Sequence, residues 1–297
     1  MGTILIDNIV YTLDKATHTA IVEKNVEMGY CGDVVIPEHV SYQGETYRVT
    51  AVGCEAFGDC SCLIEIIEQG IADKFRDRKS LRSVVLPDSI VEIGAFAFAY
   101  AQNINSLTLP PSVRFINDGA FLCCNALTTI NIPNTVTFNG TVAFCGAIRL
   151  EHITIPSSVT FIGKDAFGSC CGLTSLVIPD SVTEIGDDAF EDCAGLRSVV
   201  LPNTITKIAR DLFNHCLSLE SIVIPNGVRE IEGFAFYDCR SLTTISLPAT
   251  LERISPDAFS GCEHIETIQV PHGMRRKFRK VCALKPWRDK IVEMNAF

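Results

Sequence analysis

The sequence predicts an α/β fold built as one right-handed solenoid of short parallel strands and single helical turns, and three observations carry that reading. Prolines stand at Pro87, Pro110, Pro133, Pro156, Pro179, Pro202, Pro225, Pro248 and Pro271, an unbroken period of 23 residues. Counting from each proline, position +11 is phenylalanine in all eight units, from Phe98 to Phe259. Position +14 is either cysteine (Cys124, Cys170, Cys193, Cys216, Cys239 and Cys262) or alanine (Ala101 and Ala147). A fixed period of this length marks a repeat architecture, in which no unit buries its apolar face alone and neighbours must stack.

Each element of the unit follows from residue chemistry. Apolar residues at +20 and +22, such as Val199 and Leu201, flank one outward residue, which is the alternation of a short strand. The next proline has no N–H to donate and ends it. Apolar residues at +3 (Ile90, Val113, Val182) and +6 (Ile93, Ile116, Ile185) bracket a second extended segment, with Asn139 alone out of line at +6. Gly94, Gly163 and Gly186 follow it, where a side chain would be strained. The Ala-Phe-x-x-Cys stretch is too short for a stable lone helix, so a single helical turn docked by its phenylalanine is expected.

Two units extend the array upstream. Val52, Ala56, Phe57, Cys60, Leu63 and Ile66 fit the same offsets, and Ile36-Pro37 supplies an opening strand lengthened by a loop around Gly44. Leu63 to Leu81 is 18 residues, five short of a unit, and its Phe75 makes it readable as a degenerate unit. The solenoid then spans 31–271 with about ten units, between an N-terminal β-hairpin cap at 1–30 and a C-terminal helical cap at 272–297.

Composition agrees and narrows the function. A chain of 297 residues would ordinarily divide into about two domains, but stacked repeats escape the size limit on one globular core. It is 47% hydrophobic and 20% charged, so it can bury a large core. Prolines or charges interrupt every apolar run before the roughly 18 residues a bilayer requires, so no membrane insertion is expected. The net charge of -10 argues against general affinity for nucleic acid. Residues 273–290 depart from it, with eight basic residues against one acidic, a +7 tail on a chain otherwise at -17. Arg275-Arg276-Lys277-Phe278-Arg279-Lys280 reads as a nucleic-acid patch or as a cap; Phe278, Val281 and Cys282 at helical spacing favour the cap.

Leu-x-x-Ile-x-Ile-Pro-x-Ser-Val-x-x-Ile-Gly-x-x-Ala-Phe-x-x-Cys, as seen over Leu173 to Cys193, closely resembles the BspA-like, treponemal-type leucine-rich repeat. The resemblance covers about residues 31–271. It also extends to the ends, where Val270-Pro271-His272-Gly273, the basic helix and the segment from Trp287 to Met294 resemble the C-terminal end of such proteins in Bacteroidales-type bacteria, with a helix over the last sheet edge. The resemblance implies a leucine-rich repeat fold and protein binding, including adhesion to host and matrix proteins at the cell surface. It implies no catalytic residues.

The +14 cysteines ask for a small buried side chain. Cys31, Cys54, Cys60 and Cys62 lack the paired spacing of a zinc site, while Cys123 and Cys171 are extra thiols beside ladder members. The six histidines are dispersed, and none lies at metal or nucleophile spacing from another histidine or a cysteine, so no metal, cofactor or catalytic site is expected. The outward strand positions +19 and +21 are the candidates for a concave binding face: Thr129, Asn131, His152, Thr154, Ser175, Val177, Ser198, Val200, Ser221, Val223, Thr244 and Ser246. Hydroxyls pairing across a sheet is the structural alternative for that carpet. Asp73, Lys74, Arg76, Asp77, Arg78 and Lys79 form a charged turn in the irregular 68–80 segment.

The expected function is a monomeric, non-enzymatic scaffold that binds a partner protein through this face or the adjoining edge. An enzyme or toxin-like effector with a site in the irregular 25–80 region is the alternative. Met1-Gly2-Thr3-Ile4 carries no charged n-region and apolar h-region, so no secretory signal is expected in the chain. The resemblance favours a surface location and the many thiols a reducing one.

Overall fold

The computed structural model describes residues 2–26, 29–58 and 81–294, and the side chains of Phe138 and Asn139 are not described. It is a parallel β-solenoid of about nine turns with few helices. Three ladders run along it, each fixed by a different part of the 23-residue unit.

At the N-terminus, β1 (Thr3–Ile6), β2 (Ile9–Asp14) and β3 (Thr19–Glu23) form an antiparallel meander. Strands β5 (His39–Tyr42) and β6 (Glu45–Val52) make a hairpin turning at Gln43 and Gly44, both at positive φ. Strand β6 then pairs in parallel with β3 on one side and with β8 (Glu92–Ile93) on the other. Strand β4 (Gly32–Val35) pairs with β7 (Leu81–Val85).

From β8 onward, two-residue strands at +5 and +6 form the first ladder, continuous through Phe115–Ile116, Phe138–Asn139 and Phe161–Ile162 to Glu184–Ile185. A second run joins Lys207–Ile208, Glu230–Ile231 and Arg253–Ile254. The +19 to +21 strands form the second ladder. It is interrupted at three places, between Leu81–Val85 and Ser106–Thr108, between His152–Ile153 and Ser175–Val177, and between Ser198–Val200 and Ser221–Val223.

The third ladder differs from the expected helical turn. Residues +9 and +13 both adopt left-handed φ in unit after unit: Asp165 and Ser169, Asp188 and Asp192, Asp211 and His215, Phe234 and Asp238. A helical turn cannot hold left-handed residues, so the segment is a pair of tight turns. Their backbone bonds leave the unit: Phe190 N–H donates to Leu212 O at 3.1 Å and Asp192 N–H to Asn214 O at 2.8 Å, each in the next coil. Asp, Asn, His and Gly are the residues that tolerate this conformation, which accounts for the aspartates on this side.

The interior is a column. Nine phenylalanines from Phe57 to Phe259 stack face to face, with centroids 5.5 Å apart and an interplanar angle of 5° for Phe167–Phe190. Offset parallel rings at this separation add about 0.5–1.5 kcal/mol per pair beyond their area burial. Phe57 lies directly on Phe98, 5.2 Å away. Together with the β6–β8 and β4–β7 pairings, this makes the coil ending at Gly58 the neighbour of the coil containing Phe98. The degenerate unit read over 63–81 lies, as far as Ser80, outside the described residues, as do Cys60, Cys62 and the charged turn at 73–79.

The C-terminal end also differs in kind from a helix laid over an edge. Helix α1 (Arg275–Phe278) is one turn, followed by a 3-10 segment (Cys282–Lys290). The last edge is extended by a parallel strand, Ile291–Glu293, whose Ile291 registers with Ile268. Phe278 and Leu284 are buried beneath it, whereas Cys282, expected to dock beside Phe278, is exposed. Lys277 Nζ donates to Ala249 O and Leu251 O, capping carbonyls of the final coil.

Candidate interaction face

The second ladder builds the candidate face residue by residue. In each strand the +20 residue points inward, buried as Leu176, Val199 and Ile222 are or half-buried as Ile153 is, so +19 and +21 must point outward. Ten of the twelve candidates are exposed, from Thr129 to Val223; Thr244 and Ser246 are half-buried. In-register pairing brings Thr129 beside His152, Ser175 beside Ser198, and Val177 beside Val200. The next run aligns Ser221 with Thr244 and Val223 with Ser246. Among the described residues, side chains of neighbouring coils hydrogen-bond near the two ends of this ladder, Ser83 Oγ donating to Asp33 Oδ1 at 2.8 Å and Ser246 Oγ to Gln269 Oε1 at 2.7 Å. The +19 hydroxyls of Ser175, Ser198 and Ser221 face solvent.

The apolar part of the face is a stripe. Val177, Val200 and Val223 occupy +21 in three successive coils and are 65%, 57% and 66% exposed. Val35 and Val85 pair in the same row at the far end of the solenoid and are also exposed. Beside the middle stripe, Arg197 and Glu220 form an exposed ion pair at 3.1 Å, of a kind that contributes little to stability. Where the ladder is interrupted next to His152, a cleft of about 630 Å³ opens between Thr128, Ile148, Arg149, Glu151, Gly172 and Thr174.

The cysteines answer a structural need. Six +14 thiols are buried and each donates to the +11 carbonyl of the preceding coil, as Cys170 does to Phe144 O and Cys239 to Phe213 O, both at 3.2 Å. Burial pushes the Cys124 thiol up to about 12. All cysteines among the described residues are free thiols. Of the two extra thiols, Cys171 is exposed and Cys123 half-buried.

The turn ladder concentrates carboxylates that the sequence did not single out. Burial, then the neighbouring Asp188 and Asp192, raise the Glu191 carboxyl above the ordinary range. Burial likewise raises Asp165, whose carboxylate accepts the Cys145 thiol at 3.6 Å. The Arg240 guanidinium holds Asp238 below the usual value, donating to both of its oxygens at 2.9 Å. His215 sits between the carboxylates of Asp192 and Asp238. These residues are 23 apart, so a search for short local motifs passes over them; reading position +13 down the repeat would find the row.

The family model of the BspA type leucine rich repeat region matches residues 69–197 and 162–281, with six copies. The chain belongs to the BspA-type leucine-rich repeat family. Among solved structures, this BspA-type chain is similar to the pneumococcal vaccine antigen PcpA, at 20% identity over 90% of this chain and 69% of that one, with a TM-score of 0.63. It is also similar to a leucine-rich cell surface protein of Faecalibacterium prausnitzii (23% identity, 95% and 98% covered, TM-score 0.47). A third similar structure is the leucine-rich repeat protein of T. pallidum (28% identity, 78% and 86% covered, TM-score 0.49). The PcpA likeness supports the solenoid fold. No curated protein matches the sequence. BspA-type repeats are a protein-interaction scaffold, and among the described residues no helix is long and apolar enough to cross a membrane.

Proposed function

We propose that the protein is a non-enzymatic scaffold that binds a partner protein through the outward face of its second ladder. The observation that carries this is the stripe of Val177, Val200 and Val223, each more than half exposed on consecutive coils and rimmed by serine and threonine hydroxyls. Valine in a one-strand-per-coil ladder needs only its β-propensity satisfied, which threonine at +21, as at Thr108 and Thr154, supplies equally well without exposing carbon. Contiguous apolar surface with a polar rim is the usual signature of a contact site. The rigidity of the stacked array presets the face, so little ordering entropy opposes binding. Kinship with BspA-type repeats supports a partner of the host or matrix protein kind at a cell surface.

The test is a triple substitution, Val177→Asp, Val200→Asp and Val223→Asp, compared with the native chain on a panel of immobilised matrix and cell-surface proteins. The side chains are solvent-exposed, so the fold, checked by circular dichroism, is retained. Loss of a saturable interaction in the triple variant supports the proposal. Binding of equal affinity by both proteins, or none by the native chain, contradicts it.

A further inference from the structure

We propose that Glu191, Asp192 and His215 on the turn ladder form a binding site for a divalent transition-metal ion of the Zn²⁺ type. Their ligand atoms, one from each residue, all lie within 4.8 Å of one another. The site lies on a different ladder from the interaction face.

The donor set suits such an ion. One imidazole nitrogen with two carboxylates leaves room for water as a fourth ligand, an arrangement favoured by Zn²⁺ and disfavoured by the all-oxygen preference of Ca²⁺ and Mg²⁺. The backbone presets the geometry. Asp192 and His215 occupy the same left-handed +13 position in adjacent coils, with φ of 55° and 56°, and the backbone bond from Asp192 N–H to Asn214 O holds the coils in register. The Nδ1 atom of His215 is 3.5 Å from Asp192 Oδ1, wider than a good hydrogen bond.

The surroundings of the three ligands suit a cation. On the far side of the ring, His215 Nε2 faces Asp238 Oδ2 at 3.8 Å, and Arg240 fixes that carboxylate with two bonds of 2.9 Å. At that distance the carboxylate acts on the ring through its charge and not through a hydrogen bond. The T-shaped contact of Tyr237 with the ring, at 5.4 Å, holds its plane as well. Next to Glu191, the amide of Asn214 donates to Glu191 Oε1 at 2.9 Å and to Asp211 Oδ1 at 3.2 Å, while its own Oδ1 is buried without a hydrogen-bond partner. That amide orients the Glu191 carboxylate from its nitrogen side. The nearby carboxylates Asp188, Asp211 and Asp238 each have a cation, from Lys164, Arg210 and Arg240; Glu191 and Asp192 have no Lys or Arg ion pair among the described residues. A dication there would bridge the coils after Pro179 and Pro202 and stabilise the middle of the array.

The experiment titrates ZnCl₂ into the full-length protein by calorimetry, after carbamidomethylating accessible thiols under native conditions so that cysteine ligation is removed. The native sequence is expected to show one saturable site per chain. His215→Asn keeps a residue that tolerates left-handed φ, and Glu191→Gln keeps side-chain size. Each is expected to weaken binding at least tenfold, while His264→Asn, on another exposed histidine, leaves it unchanged. Circular dichroism of each variant matching the native chain excludes unfolding as the cause. Absence of a saturable site, unchanged affinity in either ligand variant, or equal weakening in the His264→Asn control overturns the proposal.

Discussion

The thiol of Cys193 donates to the backbone carbonyl of Phe167, 3.2 Å away and one coil earlier. The same carbonyl accepts the Cys170 N–H at 3.2 Å, so both of its lone pairs are used, one within the coil and one between coils. Cysteine at +14 is therefore a stitch as well as a small buried filler. Replacing it separates the two roles. Cys193→Ala, the residue nature uses at Ala101 and Ala147, is expected to cost about 1 kcal/mol through the lost bond. Cys193→Ser should cost more, about 1–3 kcal/mol, because its shorter C–O bond leaves a buried hydroxyl away from the carbonyl. Urea unfolding midpoints of the two variants check the order.

Alkaline pH acts on the same ladder. Burial raises the thiols of Cys124, Cys170, Cys193, Cys216 and Cys239. In the unfolded chain a thiol releases its proton near pH 8.5. Above that pH the unfolded state binds fewer protons than the folded one, so stability is full below about 8.5 and declines as pH climbs toward 12. Melting temperature measured from pH 7 to 10.5 should fall over the upper part of that range. The fall should be shallower in a variant carrying Cys124→Ala, Cys193→Ala and Cys216→Ala.

Backbone strain gives a stabilising prediction. Val142 holds φ of 50°, a conformation hostile to a β-branched residue, at the position where its neighbours carry Gly119 and Asp165. Val142→Asn should raise stability by about 1 kcal/mol by relieving that strain. A higher midpoint in chemical denaturation checks it.

Position +2 offers a second one. Thr204 Oγ1 donates to Val182 O, and Thr250 Oγ1 to Val228 O at 2.9 Å, each reaching back one coil. Ser181 fills the same slot, and its buried hydroxyl has no partner. Ser181→Thr, whose β-branch restricts the rotamer toward the neighbouring coil, should gain about 0.5–1.5 kcal/mol. Thermal unfolding of the single variant against the native chain reads the difference.

These particulars show what was legible in the sequence. A strict period makes the inward residues self-announcing, so Phe190, Cys193 and Leu196 could be placed in the core from spacing alone, and Ser175 and Val177 on the outside from strand alternation. The turn at +9 to +13 was misread as helical because its aspartates, Asp188 and Asp192, are as common in helix starts as in left-handed turns; only the backbone distinguishes them. The C-terminal edge was misread because Ile291 to Glu293 is too short to announce a strand apart from the partner it extends. The Glu191, Asp192 and His215 grouping stayed hidden for a related reason, since stacking, and not chain proximity, brings His215 to the other two.

Docking of the partner on the valine-bearing face of the second ladder is the proposed function. Its most direct test places a photo-crosslinking amino acid at Val200 on that face and, in a separate protein, at Thr183 beside the first ladder, then irradiates each with host-cell surface proteins and matrix. A discrete adduct from position 200, absent from position 183, is the predicted result. No adduct at 200, or the same adduct from both positions, would contradict it.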